Sequence, residues 1–108
     1  MKAVRFLGDT RQRLQDFPDA ARQGIGQELL RVQLGLDPID WKPMPSIGAG
    51  VRELRVRVAS GAFRAVYVAH IGTQIVVLHA FQKKTQKTSP LDLELAKTRY
   101  KMLLRDVK

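Results

Sequence analysis

Arg55, Arg57 and Arg64 are the residues of this chain best equipped for chemistry. In VRELRVRV, residues 51–58, Leu54, Val56 and Val58 alternate with Glu53, Arg55 and Arg57, so a two-residue period puts both guanidiniums on one strand face. Ser60-Gly61 marks a turn, and Arg64 follows in FRAVYVAH on the next strand, within reach of the same face. Three guanidiniums that face one another are costly without an anion. Each keeps its charge at any relevant pH and offers a planar fork of donors, which suits a phosphodiester or the extra charge of a phosphorane. Three solvated arginines on an open sheet face satisfy the same alternation.

The stretch Gln82 to Thr88, QKKTQKT, adds Lys83, Lys84 and Lys87 where the next strand ends. Binding and catalytic groups often project from such strand-end loops. A lysine there stabilises phosphate charge or, with its pKa lowered by cationic neighbours, exchanges protons; the plainer reading is a solvated basic linker. His79 lies inside the apolar run QIVVLHAF and His70 at the end of the preceding run. An imidazole can accept a ribose hydroxyl proton, although a histidine in an apolar strand is more often a hydrogen-bonded core residue. Two isolated histidines and no cysteine make no metal site, and the chain has no Gly-rich phosphate loop, nucleophile elbow or HExxH. Tyr67 and Tyr100 fall on apolar stripes and read as core.

These groups need a scaffold. Residues 2–7 alternate, with Val4 and Phe6 on one side and Arg5 and Leu7 on the other, as in a short strand. Asp9 or Thr10 opens a short helix through Phe17, and Pro18 sits in the first turn of a second helix whose stripe is Ala21, Ile25, Leu29, Val32 and Leu36. Gly24 and Gly26 weaken that helix, and Gly35 with Asp37-Pro38 ends it. Residues 37–50, DPIDWKPMPSIGAG, form a connector anchored by Trp41. Three strands at hairpin spacing follow, the last apolar almost throughout and so expected at the sheet centre. Ser89-Pro90, with Asp92 and Glu94 in the first turn, starts a C-terminal helix. Its apolar stripe is Leu93, Ala96, Tyr100, Leu103 and Val107, and its basic stripe Lys97, Lys101, Arg105 and Lys108. The expectation is an α+β fold: an N-terminal strand and two helices, an antiparallel three-strand meander and a C-terminal helix, in a single domain over 1–108.

Charge sharpens the picture. The 108 residues carry a formal charge of +9, and 44% of them are apolar, which excludes a disordered basic tail. Seven basic residues meet six acidic ones in positions 1–50, but twelve meet four beyond them, so the excess lies with the strands, loop and last helix. Such a field fits a polyanionic partner, nucleic acid or an acidic protein. No apolar run approaches the roughly 20 residues of a membrane span, and no signal peptide is evident, so a cytoplasmic protein without a membrane partner is expected.

The segments VRELRVR, FRAVYVA, VVLHAFQKKTQKTSP and LELAKTRY together resemble the RelE/ParE superfamily of toxins, and most closely its HigB-like, phage-derived branch. The resemblance runs from the first strand to the last helix and is most specific in HAFQKKTQKT. It implies the toxin half of a type II toxin–antitoxin pair: a small ribonuclease that cuts mRNA in the ribosomal A site without metal or cofactor, by attack of the ribose 2′-hydroxyl on the adjacent phosphate. By position it implies catalytic roles for Arg55 and Arg57, for Arg64 in stabilising the transition state, and for Lys84 in assisting the leaving oxygen. His79 is added as a candidate proton acceptor, and Lys83, Lys87, Lys97 and Lys101 as RNA contacts. The implied partners are a HigA-like helix-turn-helix antitoxin and the ribosome. Arg55 and Arg57 stand where lysines are frequent, and no tyrosine occurs near 88–92, which leaves the general base unassigned. A ParE-like gyrase-binding inhibitor and a non-catalytic binding protein of the same fold are the alternatives.

Overall fold

The computed structural model describes residues 1–84 and 87–106. In chain order it comprises β1 (Ala3–Phe6), α1 (Thr10–Asp16), α2 (Asp19–Gln33), β2 (Trp41–Pro43), β3 (Val51–Val58), β4 (Gly61–Ile71), β5 (Gln74–Lys83) and α3 (Pro90–Asp106). The strands form one sheet in the order β1-β5-β4-β3-β2, with β1 parallel to β5 and the other pairs antiparallel. The α+β class and the three-strand meander are as expected, but the sheet has five strands. The connector adds one: Trp41 pairs with Leu54 and Pro43 with Arg52. A short edge strand tolerates proline because its outer N–H groups need no ladder partner. Arg52 lies 3.8 Å above the Trp41 ring centroid, so cation–π attraction reinforces this edge.

Both faces of the sheet are covered over its centre. On one face Leu14 of α1 and Ala21, Ile25, Leu29 and Val32 of α2 pack against Leu54, Phe63, Ala65, Tyr67, Ile75, Val77 and Ala80. Gly24 has a packing reason that outweighs its cost of about 1 kcal/mol in a helix interior, since a Cβ there would stand 2.7 Å from Val56 Cγ1. Leu36 does not join the expected stripe. The helix stops at Gln33, Gly35 takes φ +84°, and the Leu36 N–H turns back to the Arg31 carbonyl, leaving that side chain exposed.

On the opposite face Ala96, Tyr100 and Leu103 of α3 pack against Val51, Val66, Val68, Val76, Leu78 and Phe81, together with Met44 and Ile47. Ser89 caps this helix as expected, its Oγ accepting from the Asp92 N–H at 3.2 Å. Val107 and Lys108, expected on its two stripes, lie outside the described residues. Between β4 and β5 the register shifts: Val66 pairs with His79 but Tyr67 with Val77. The shift is a β-bulge at Leu78, and it sets which face every later β5 side chain occupies.

Candidate functional site

Residues paired across an antiparallel ladder project to the same face. Arg55 pairs with Arg64, Arg57 and Lys83 both pair with Ala62, and Lys42 and Val66 both pair with Glu53. The α3 face therefore also carries Lys42, Glu53, Arg55, Arg57, Arg64 and Lys83, beyond the apolar residues that α3 covers. The expected convergence of Arg55, Arg57 and Arg64 is present, and all three line a small cleft with Asp40 and Ala62.

Glu53 lies at the centre of this cluster and is wholly buried. Its Oε1 stands 3.9 Å from Arg64 Nη1 and 3.8 Å from Arg55 Nε, and its Oε2 accepts from the Thr88 hydroxyl at 2.8 Å. Asp40 Oδ1 is 3.9 Å from Arg55 Nη1. These are ion pairs beyond hydrogen-bonding range, and Arg55 Nε, Arg64 Nε and Glu53 Oε1 are buried without a hydrogen-bond partner. Burial lowers the pKa of Arg64, Arg55 and Arg57 lower it further, and Glu53 and Asp40 pull it back. A guanidinium stays charged through such a shift. Arg64 is thus a cation at the floor of the site, Arg55 is partly accessible, and Arg57 is exposed.

The two adjacent lysines part company at the strand end. Lys83, added to the resemblance as an RNA contact, falls on the arginine face, while Lys84 follows the last residue of β5 and is exposed. Burial lowers the Lys83 pKa, as do Arg64, Lys42 and Arg55, and Glu53 opposes them. Lys83 also borders a cavity of about 400 Å³ lined by Lys84, Lys87, Arg13, Phe81 and Asp92 among others. Lys97 and Lys101 are not among the residues lining either space; Lys97 pairs with Glu94 at 3.5 Å and Lys101 is exposed on α3.

His79 is not brought to the arginines. It is wholly buried, with Nε2 2.7 Å from Asp92 Oδ1, while Asp92 Oδ2 accepts from the Ser89 hydroxyl at 2.7 Å. The carboxylate selects the tautomer with hydrogen on Nε2, and Nδ1 is left buried without a partner. Burial lowers the His79 pKa, and Arg13 and Arg99 add to this against the pull of Asp92. The imidazole ties β5 to the first turn of α3, out of reach of a substrate hydroxyl in this conformation. Tyr67 and Tyr100 are core, as expected, with Tyr100 donating to the Ala49 carbonyl at 3.0 Å.

Three residues carry more than local patterning reveals. Glu53 alternates onto the arginine face, and an acid inside a basic alternating strand is a signal in its own right. Asp92 serves His79 as well as the helix dipole. Arg99 joins α3 to α1, donating to Asp9 Oδ1 at 2.6 Å, to Thr10 Oγ1 at 3.1 Å and to the Leu78 carbonyl at 2.8 Å. Among the described residues no group of three or more His, Asp or Glu stands together to hold a metal, and no helix is long and apolar enough to cross a membrane.

No curated protein matches the chain. The family model for "Phage derived protein Gp49-like (DUF891)" matches residues 12–101, a span that takes in the arginine strands, the lysine segment and most of α3. The chain therefore belongs to the Gp49-like family of phage-derived proteins, a family of the RelE/HigB toxin type.

Proposed function

We propose that this protein is a HigB-like toxin that cleaves mRNA on the ribosome as a metal-independent endoribonuclease. The observation that carries the reading is the convergence of Arg55, Arg57 and Arg64 on one sheet face, with Lys83 beside them, in a chain of this family. The ribose 2′-oxygen attacks phosphorus, the bond to the 5′-oxygen breaks, and the products are a 2′,3′-cyclic phosphate and a 5′-hydroxyl. The charge that builds on the phosphoryl oxygens faces fixed guanidiniums in a partly desolvated site, where electrostatic stabilisation is strongest. Lys83 and Lys84 stand at the strand end to assist the leaving oxygen, and the register favours Lys83. Lys87, Lys97 and Lys101 supply RNA contacts, the ribosome orients the substrate, and a HigA-like helix-turn-helix antitoxin with an acidic segment masks the basic face.

Brief induction in bacteria followed by mapping of mRNA 5′ ends tests this. New ends within translated codons that vanish in Arg64→Ala support it. Growth arrest with intact mRNA and damaged DNA would instead indicate a gyrase-directed activity and sink the nuclease reading.

A further inference from the structure

We propose that Glu53 is a positioning residue of this site, the shared counter-anion that holds the Arg55 and Arg64 guanidiniums in place without occupying their donors. The inference rests on the nuclease reading above. Glu53 is the one wholly buried carboxylate among the described residues, and it lies between two cations drawn from adjacent strands. A buried charge persists only where partners offset its desolvation. Here the offset is shared, because each guanidinium stands just under 4 Å from Oε1, close enough for strong attraction in a low-dielectric setting and too far for a hydrogen bond. A bidentate pair would have consumed the fork of one arginine. This arrangement leaves the guanidinium donors uncommitted to the carboxylate while suppressing the repulsion between Arg55, Arg57, Arg64 and Lys83.

Thr88 completes the device. Its hydroxyl donates to Oε2 at 2.8 Å and so ties the residues just before α3 to the carboxylate. Glu53 itself is covered and does not meet substrate; it acts through the arginines. Its removal raises the positive charge of the site, which strengthens attraction for RNA, yet frees the guanidiniums from the geometry that stabilises the transition state. Binding and turnover should therefore move in opposite directions, a split that loss of folding alone does not produce.

The test compares wild type with Glu53→Gln, which keeps the acceptor for Thr88 and removes the charge, and with Glu53→Asp. Cleavage of ribosome-bound mRNA is measured as kcat and KM, and binding of a 2′-O-methyl RNA of the same sequence as Kd. We expect kcat to fall about tenfold or more in Glu53→Gln with Kd unchanged or tighter, and partial recovery in Glu53→Asp. A kcat within about twofold of wild type, or a parallel loss of kcat and RNA binding in protein shown by circular dichroism to be folded, overturns the proposal. If Glu53→Gln does not fold, Thr88→Val takes its place: a lowered kcat with Kd retained supports the device, and an unchanged kcat overturns it. Should wild type cleave no RNA, the nuclease reading fails and Glu53 is judged by NMR of the Arg55 and Arg64 Nε–H groups. Faster hydrogen exchange at both in folded Glu53→Gln, or in Thr88→Val, supports the positioning role, and unchanged exchange overturns it.

Discussion

Moderate acid should loosen this fold through a single residue, His79. Its pKa in the fold lies below the ordinary 6.5, with burial the largest cause, so the unfolded chain binds a proton that the folded chain refuses. For a depressed folded pKa the stabilisation is complete above the unfolded value and is lost as pH falls below it. Because the fold favours the neutral imidazole, lowering the pH from about 7.5 to about 5.5 destabilises the protein by at most about 1 kcal/mol, the limit set by one proton taken up over one pH unit below 6.5. Stopping there keeps ordinary carboxylates ionised. An unfolding entropy of about 2.1 cal/mol/K per residue over 108 residues turns that limit into a drop in Tm of at most about 4 °C.

Scanning calorimetry across that range measures the drop. In His79→Gln, whose amide can still donate toward Asp92, Tm should be lower at every pH and nearly flat between the two limits. A wild-type Tm that does not move, the same slope in His79→Gln, or an imidazole that titrates near 6.5 by NMR would refute the assignment. The same variant speaks to catalysis: because the ring is sealed under α3, cleavage by folded His79→Gln should stay within about tenfold of wild type, against the hundredfold or greater loss typical of removing a general base.

Three further outcomes are expected. Arg99→Ala strips donors from Asp9 and the Leu78 carbonyl and should cost about 2 kcal/mol by urea denaturation; it should also reduce, with Arg13 retaining part, the acid stability that follows from the Asp9 pKa being lowered to about 2 by Arg99 and Arg13, a contribution lost as pH falls from about 4 through about 2. Gly48→Ala should destabilise by about 1–3 kcal/mol in the same assay, since a Cβ there would stand 2.1 Å from the Tyr100 ring. Lys83→Gln and Lys84→Gln should each reduce the slope of log affinity for single-stranded RNA against log salt by about 0.7, and a slope unchanged in both would remove the strand end from the RNA path.

Much of this was legible in the sequence because it follows from periodicity. The alternation in residues 51–58 set the arginine face, and the continuous apolar run around Val76 set an interior strand covered on both faces, although β4 rather than β5 is the middle strand of the five. The losses have physical causes. Trp41–Pro43 has too few residues, and a proline, for any two-residue period to register, and it becomes a strand only because β3 offers an unpaired edge. Leu36 continues a stripe of correct spacing, but Gly35 ends the helix by its left-handed conformation before the stripe is complete. The pairing of His79 with Asp92, 13 residues on, depends on where α3 docks, which no local pattern encodes.

The exchange between Lys83 and Lys84 shows how a local irregularity reaches the site. With an unbroken ladder, every β5 residue beyond Val77 would meet β4 one position out of its present register, and a slip of one residue reverses the faces of all that follow. The bulge at Leu78 absorbs one residue, so that Phe81 arrives opposite Arg64 and Lys83 opposite Ala62. The cost is a Leu78 carbonyl outside the β4 ladder, and Arg99 and the Thr10 hydroxyl offset it. Arg99, which lines neither the arginine cleft nor the lysine cavity, thereby supports the register that puts an amine on the arginine face. Arg99→Lys, which keeps the charge but loses the fork that reaches Leu78 and Asp9 together, should therefore lower activity more than its modest loss of stability explains.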